Sequence, residues 1–483
     1  MEFVAKLVAK GGDDLAANQP NAAFLEWCSS NPSGATEVIQ LARTGSQLAA
    51  DHLSFALQAQ SDLAQARSIA EEFADRRRLT SLTAIGRIPH KHQAERRKTV
   101  QMAKRLLGNS LDDQTRSAIF HAIIFVHAND NVALPADALE VLRSCQSPPT
   151  DLTRYAAATV IGSAKRILTQ ELVNILLDSL EGLKPNQAGT VNQLDFGLNI
   201  LVESGFATDA IDFATKLLLA NRGDLELDRF DSFERGLIRA PAPLLHSVLI
   251  RWLLSGDRVL CDGFAKLLRK AEREEKPLDI AMAFHDLTDI EKLFICRKAI
   301  GYFFMQPLVA ASILVSTLRS ASPDLRPKVK ALLFNPLLRN YGGKLGDYLR
   351  SLLPADASQP EVNEALALAE KHLEGLQSVG DVKELRPSTQ RQDLVQTRWR
   401  DQMAAAAKDA QSQSALLRLV KKSVLLYGRQ SLTYVDDPGG GRRPVQIKMQ
   451  SHSFGFEMPR QEMADPAGLA QMLTIFRAER LKR

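Results

Sequence analysis

Four cysteines, Cys28, Cys145, Cys261 and Cys296, are all that the 483 residues contain, and no two of them form a CxxC pair. That spacing excludes a disulfide framework and a cysteine-based zinc site. It leaves four small apolar side chains suited to the core of a protein in a reducing compartment. Aromatic residues are only 6% of the chain, and none falls between residues 76 and 105, where basic charge is densest, so that stretch lacks the rings on which bases stack. The phosphate-loop pattern GxxxxGK[ST], the nucleophile elbow GxSxG and the metal pair HExxH are also missing. No enzyme, cofactor or metal is therefore expected. The first residues, "MEFVAKLVAKGG", have neither a sustained apolar run nor a small-residue cleavage site, so no secretory signal is expected and the location read from the sequence is cytoplasmic.

What is present is the composition of a folded protein, 45% hydrophobic and 24% charged. One stretch, the twenty uncharged residues between Lys298 and Arg319, has the length of a membrane span. Gln306-Pro307 interrupts it, and two buried helices meeting there, the second opened by Pro307, account for it without a membrane. The net charge of +5 is unevenly spread. Residues 381–483 carry 18 basic against 11 acidic side chains, and residues 75–105 carry ten against Asp75 and Glu95. An anionic partner would bind at these two places.

From about residue 35 to 378, apolar residues recur three and four apart between closely spaced breakers such as "NPSG", "SPPTD" and "APAP", which predicts helix after helix. A repeat runs through them. "DQTRSAIFHAIIFV" at 113–126 matches "DLTRYAAATVIGSA" at 151–164, setting Asp113 on Asp151, Thr115 on Thr153, Arg116 on Arg154, Ala118 on Ala156 and Ile123 on Ile161. "LPADALEVLRSC" and "LTQELVNILLDSL" follow as second helices. A weaker third copy sets Phe196, Ile200 and Leu201 on Ala156, Val160 and Ile161, with "DAIDFATKLLLA" as its second helix. Hairpins of about 40 residues that cannot bury an apolar face alone stack side by side. Over residues 100–320 the Asp-x-x-Arg start, the small-residue helix and the Leu/Val-rich helix that follows resemble the HEAT-like helical repeats. That resemblance implies an α-solenoid with a concave binding face, in a family whose members mostly hold proteins and in some cases nucleic acid.

The expected fold is thus mainly all-α: a solenoid of HEAT-like hairpins over 1–380, followed by a small basic α+β module over 381–483. In that module the sequence predicts a long helix over 389–426, strands within 431–458 forming a hairpin or three-stranded meander, and a final helix over 466–480. "SLTYV" and "PVQIKM" alternate about the turn "DDPGGGRR", and "SFGFEM" offers a third strand. Asp465-Pro466 opens the last helix. Trp399, Met403, Leu417, Val420 and Val424 lie on a heptad seam along the long helix, suited either to a second chain or to the protein's own surface.

Two sets of titratable residues invite chemistry. In "RIPHKHQAERRK", His90 and His92 lack further ligands and sit among cations, which disfavours a metal. In "FHDLTDIE", Asp286 and Asp289 are explained by a helix start. The remaining candidates for contact with an anion, a nucleic acid or an acidic partner are Arg76, Arg77, Arg78, Arg87, Lys91, Arg96, Arg97, Lys98, Arg442 and Arg443. The function expected is that of a non-catalytic scaffold or adaptor, binding a protein partner through the solenoid surface and the basic C-terminal part. The alternative is a nucleic-acid-binding, DNA-processing protein that uses the same basic clusters.

Overall fold

The computed structural model describes residues 1–11, 18–74, 77–90, 92–108, 112–129, 131–146, 148–270, 277–280, 284, 286–352, 356–380, 382, 388–413, 430–436, 442–448 and 459–481. The chain divides into two compact units, Met1–Arg273 and Glu274–Arg483.

Sixteen α-helices make up the described part of the first unit: α1 (Glu2–Gly11), α2 (Asn18–Ser30), α3 (Pro32–Arg43), α4 (Gln47–Gln58), α5 (Leu63–Glu72), α6 (Arg78–Arg87), α7 (Gln93–Leu107), α8 (Asp113–Ala128), α9 (Ala136–Cys145), α10 (Asp151–Ser163), α11 (Gln170–Ser179), α12 (Ala188–Glu203), α13 (Ala207–Ala220), α14 (Asp231–Arg239), α15 (Ala242–Ser255) and α16 (Arg258–Lys270). Local chemistry starts many of them. Ser46, Asp62, Asp112 and Thr169 each accept a hydrogen bond from an otherwise unpaired backbone N–H of the first turn, and Thr150 with Thr153 forms a reciprocal cap. Gly256 closes α15 in the left-handed conformation, φ 61°.

Successive helices alternate between two layers. In one, α4, α6, α8, α10, α12 and α14 pack each against the next. Glycines inside these helices permit close approach: a Cβ on Gly86 would stand 3.2 Å from the Cα of Ala122, and one on Gly197 would stand 2.9 Å from Ile161 Cδ1. In the other layer, side chains bridge each helix to its next layer-mate. Arg43–Glu72 joins α3 to α5, Arg67–Glu95 joins α5 to α7, and Lys104–Glu140 joins α7 to α9. Arg143–Glu171, the Gln170–Asp209 hydrogen bond and Arg251–Asp212 carry the series through α11 and α13 to α15.

The repeat read from the sequence coincides with this stack. Asp113 and Asp151 each open a helix, and Ile123 and Ile161 are fully buried. The third copy is displaced by one residue: Phe196 is 64% exposed, whereas Ala156, on which it was aligned, is buried. Its structural counterpart is the exposed Tyr155, so Gly197 replaces Ala156 against the neighbouring helix. Apolar spacing alone does not separate a large surface residue from a core one.

In the second unit, α17 (Asp289–Phe303) and α18 (Pro307–Arg319) account for the uncharged stretch. They meet at Gln306, with Pro307 in the first turn of α18 as expected, and every residue from Leu308 to Leu318 is buried. A helix apolar all round needs covering on every side. The cover comes from α17, α19 (Arg326–Leu332), the π-helical turn Leu333–Leu338, α20 (Lys344–Arg350) and an extended strip in which Leu278 and Ile280 donate backbone N–H groups to Ser312 and Ser316. No helix among the described residues is long and apolar enough to cross a membrane. The helices α21 (Gln359–Gly380) and α22 (Thr389–Gln413) follow.

Arg319 binds both Asp279 and Asp356. Burial alone would raise the Asp356 carboxyl, but Arg319 and the hydroxyl and N–H of Ser358 outweigh it and hold the pKa at about 2, below the ordinary 3.8. A carboxylate whose folded pKa is depressed stabilises above its unfolded value and loses that contribution as pH falls toward the folded one. Acid unfolding of the second unit between about pH 4 and 2 should therefore be shallower in Asp356→Asn than in the unmodified chain. Denaturant midpoints measured across that window check it. Identical slopes would remove Asp356 from the account.

The expected α+β module at residues 381–483 is corrected. Among the described residues the fold is all-α, save for β1 (Gln430–Asp436) and β2 (Arg442–Lys448), which pair antiparallel only with each other. They form no sheet on which a helix rests, and "SFGFEM" lies outside the described residues. The terminal helices α23 (Arg460–Ala464) and α24 (Pro466–Ala478) join the helical assembly instead, α24 lying along α17. Fully buried Lys298 supplies the reason, donating to the carbonyls of Arg477 at 2.7 Å and Glu479 at 2.6 Å. Those are carbonyls at a helix C-terminus, which lack intrahelical partners and favour a cation. Arg297 pairs with Glu479, and Arg477 reaches back to the Gly301 carbonyl. The four cysteines are buried thiols that form no disulfide, as their spacing suggested, and burial pushes the thiols of Cys145 and Cys296 up to about 12.

Candidate partner-binding face

Three members of the basic cluster near residue 90, Arg77, Arg87 and Arg96, are engaged by the protein itself. Arg77 donates to the carbonyls of Gly45 and Ser46, just past the end of α3. Arg67 and buried Arg96 do the same for Pro89 and His90, just past the end of α6. Helix-end carbonyls without intrahelical partners take up the charge. His90 is buried, with both ring nitrogens engaged by Ile88 O and Thr99 Oγ1, and His92 stands at the start of α7. Arg87 lies over the Phe55 ring at 4.4 Å, and burial lowers its pKa. Arg78 is half-buried, while Arg97 and Lys98 are exposed on α7 without an ion pair among the described residues. Arg76 and Lys91 lie outside the described residues.

The other sequence candidates are scattered. Arg442 and Arg443 stand on β2 opposite Asp436 and Val435. Trp399 and Met403 are exposed on α22, and Leu417, Val420 and Val424 lie outside the described residues. Asp289 and Glu291 are occupied at the start of α17, where Glu291 caps with Thr288 and Asp289 accepts from Ser322; His285 lies outside the described residues.

What sequence reasoning missed is the solvent face of the even-numbered layer. A groove of about 500 Å³ runs between α6 and α8, walled by Leu79, Leu82, Thr83, Gly86, Arg87, His121, Phe125 and Leu152. Next to it α10 exposes Leu152 and Tyr155, and α12 exposes Phe196. Ring stacking at 5.8 Å joins His121 to Phe125. Burial lowers the His121 pKa against the opposing hydrogen bond to the Ser117 carbonyl, so the imidazole is neutral at neutral pH and donates from Nδ1.

From α8 to α12 the exposed Gln114, Leu152, Tyr155 and Phe196 and the half-buried Ser117, His121, Phe125 and Thr159 between them carry no formal charge. Cations stand at its two ends, Arg87 on α6 and the exposed Arg235 and Arg239 on α14. The groove between α11 and α13, about 330 Å³, differs in being lined by Asp178, Glu181, Asp209, Asp212, Lys184 and Lys216. A legible signal for the even face was present in the sequence: Leu152, Tyr155 and Phe196 are large apolar residues set on the flank of a helix whose core positions are already filled by Ala, Val and Leu.

Comparisons of the chain with family models, with curated proteins and with solved structures find no match.

Proposed function

We propose that the protein is a non-catalytic, HEAT-like scaffold or adaptor of the cytoplasm that binds a protein partner through the even-layer face of its first unit, with the basic C-terminal hundred residues as a second point of attachment. The observation that carries this reading is the uncharged aromatic and aliphatic strip formed by Leu79, Leu152, Tyr155 and Phe196 around the α6–α8 groove. Depletion of charge at the centre, with aromatic anchors and a polar or cationic rim, is the composition of a protein interface core. Complete burial of one such side chain is worth roughly 1.5–3 kcal/mol, and each of these, already partly buried, contributes a share of that on docking.

Among the described residues of this region the nucleic-acid reading rests on exposed Arg97, Lys98 and Arg105 and half-buried Arg78, since Arg77 and Arg96 donate to backbone carbonyls, Arg87 lies over the Phe55 ring and Lys104 pairs with Glu140. A photoreactive phenylalanine analogue at position 196 should capture a discrete protein in cells. Tyr155→Asp should abolish that capture without lowering thermal stability, while the same analogue at Glu140, on the opposite layer, should capture nothing. Equal capture from both positions would sink the proposal. So would DNA or RNA binding whose salt dependence flattens in the Arg97→Ala/Lys98→Ala variant.

A further inference from the structure

The half-buried arginines of the second unit follow a rule that two of them break. Arg297, Arg319 and Arg326 each meet a carboxylate, as does the more exposed Arg350, and exposed Arg477 meets the Gly301 carbonyl and the Tyr302 ring. Arg339 and Arg460 have no carboxylate among the described residues, although both are half-buried. They come from distant parts of the chain and converge on one imidazole. Arg339 donates from Nε to His372 Nε2 at 3.4 Å, and the charge of Arg460, like that of Arg339, opposes protonation of His372, adding to the effect of its burial.

The convergence is built into the fold. Asn340, fully buried, donates from Nδ2 to the Pro336 carbonyl at 2.7 Å and to Gln461 Oε1 at 2.7 Å, and accepts the Gln461 N–H at 2.8 Å. This clamp joins the residue after Arg339 to the residue after Arg460, bringing the two arginines together. Gly342 lies beside it: a Cβ there would stand 2.8 Å from Arg460 Nη2, so the guanidinium rests against the chain at this glycine. The Phe334 ring, edge-on at 6.3 Å, flanks the imidazole with apolar surface.

We propose that Arg339, Arg460 and His372 form a binding site for a dianionic phosphoryl group, either inorganic phosphate or the terminal phosphate of a small phosphomonoester. Two half-buried guanidiniums that meet no carboxylate among the described residues bring two charges to the surroundings of one imidazole, with partial exclusion of water. Arg339 spends only Nε–H on His372, so its two Nη groups and the whole Arg460 fork remain as donors in the planar arrangement that matches phosphate oxygens. A dianion neutralises the pair, whereas a monocarboxylate neutralises half of it. The site stands in the second unit and is independent of the face proposed above.

The test uses the full chain with ¹³C-labelled histidine, the His372 resonance being assigned by its loss in His372→Gln. Inorganic phosphate and methyl phosphate should shift that resonance saturably, and acetate at the same ionic strength should not. Preference between the two phosphates distinguishes a free ion from an esterified one. Arg339→Gln and Arg460→Gln should each weaken binding about tenfold or more, as expected for loss of a charge-assisted fork. Arg460→Lys should fall between, and Arg350→Gln, whose arginine is already paired with Glu370, should bind as the unmodified chain does. Retained thermal stability of Arg460→Gln shows that the fold survives. Phosphate and acetate acting alike, or undiminished binding by both glutamine variants, would overturn the proposal.

Discussion

Lys298→Met should cost the second unit about 2–4 kcal/mol in the full chain and almost nothing once residues 459–483 are removed. In the intact protein the ammonium is fully buried and donates hydrogen bonds to two carbonyls at the end of α24. Methionine fills a similar volume but leaves those acceptors buried and unpaired, a penalty of about 1–2 kcal/mol for each. Removing α24 uncovers the α17 face, so that water replaces the carbonyls around Lys298. The same substitution then falls within about 0.5 kcal/mol, the usual range for a surface site. The difference between the two backgrounds is the coupling between Lys298 and the terminal helix. Hydrogen exchange of peptides from Asp289–Phe303 reads it locally. If Lys298→Met weakens both chains equally, the lysine acts within α17 and does not hold the terminal helix.

Gly86→Leu should cost the first unit about 2–3 kcal/mol, whereas Gly375→Ala in the second should add about 1 kcal/mol. Both glycines lie in helices and both forfeit helix propensity. At Gly86 the obstacle is backbone, the Ala122 Cα 3.2 Å from where a Cβ would stand, so α6 and α8 must separate to admit a side chain. At Gly375, within α21, there is open space and only the propensity gain remains. Chemical denaturation of the two variants, with exchange protection in α6 and α8 as the local reading, distinguishes packing from propensity. A stabilising Gly86→Leu would mean that the even layer does not depend on close approach.

The starts of α8, α10 and α17 were legible because a cap is local: a Ser, Thr or Asp and the N–H it satisfies lie within three residues. The two-helix period was legible for a related reason, since every hairpin must present an apolar face to the next. The phase of the third copy was not, because Phe196 and Gly197 are neighbours and only the approach of α10 decides which of them turns inward. The candidate face was only partly legible. Tyr155 and Phe196 stood in plain view, but their exposure depends on the small residues beside them filling the helix contacts.

By itself, then, the sequence determined what is set by near neighbours: where helices begin, that they come in pairs, and that the twenty uncharged residues before Arg319 form two helices meeting at Pro307. Tertiary structure alone decided which charges remain available. Arg77 and Arg96 read as surface cations until carbonyls 31 and 6 residues away claim them, and Lys298 is claimed by a carbonyl 179 residues away, whereas Arg339 and Arg460, 121 residues apart, meet no carboxylate among the described residues and stand near one histidine. The physical reason is that a charge is spent by whatever lies beside it in space, and in a chain folded from stacked hairpins that neighbour belongs to another helix.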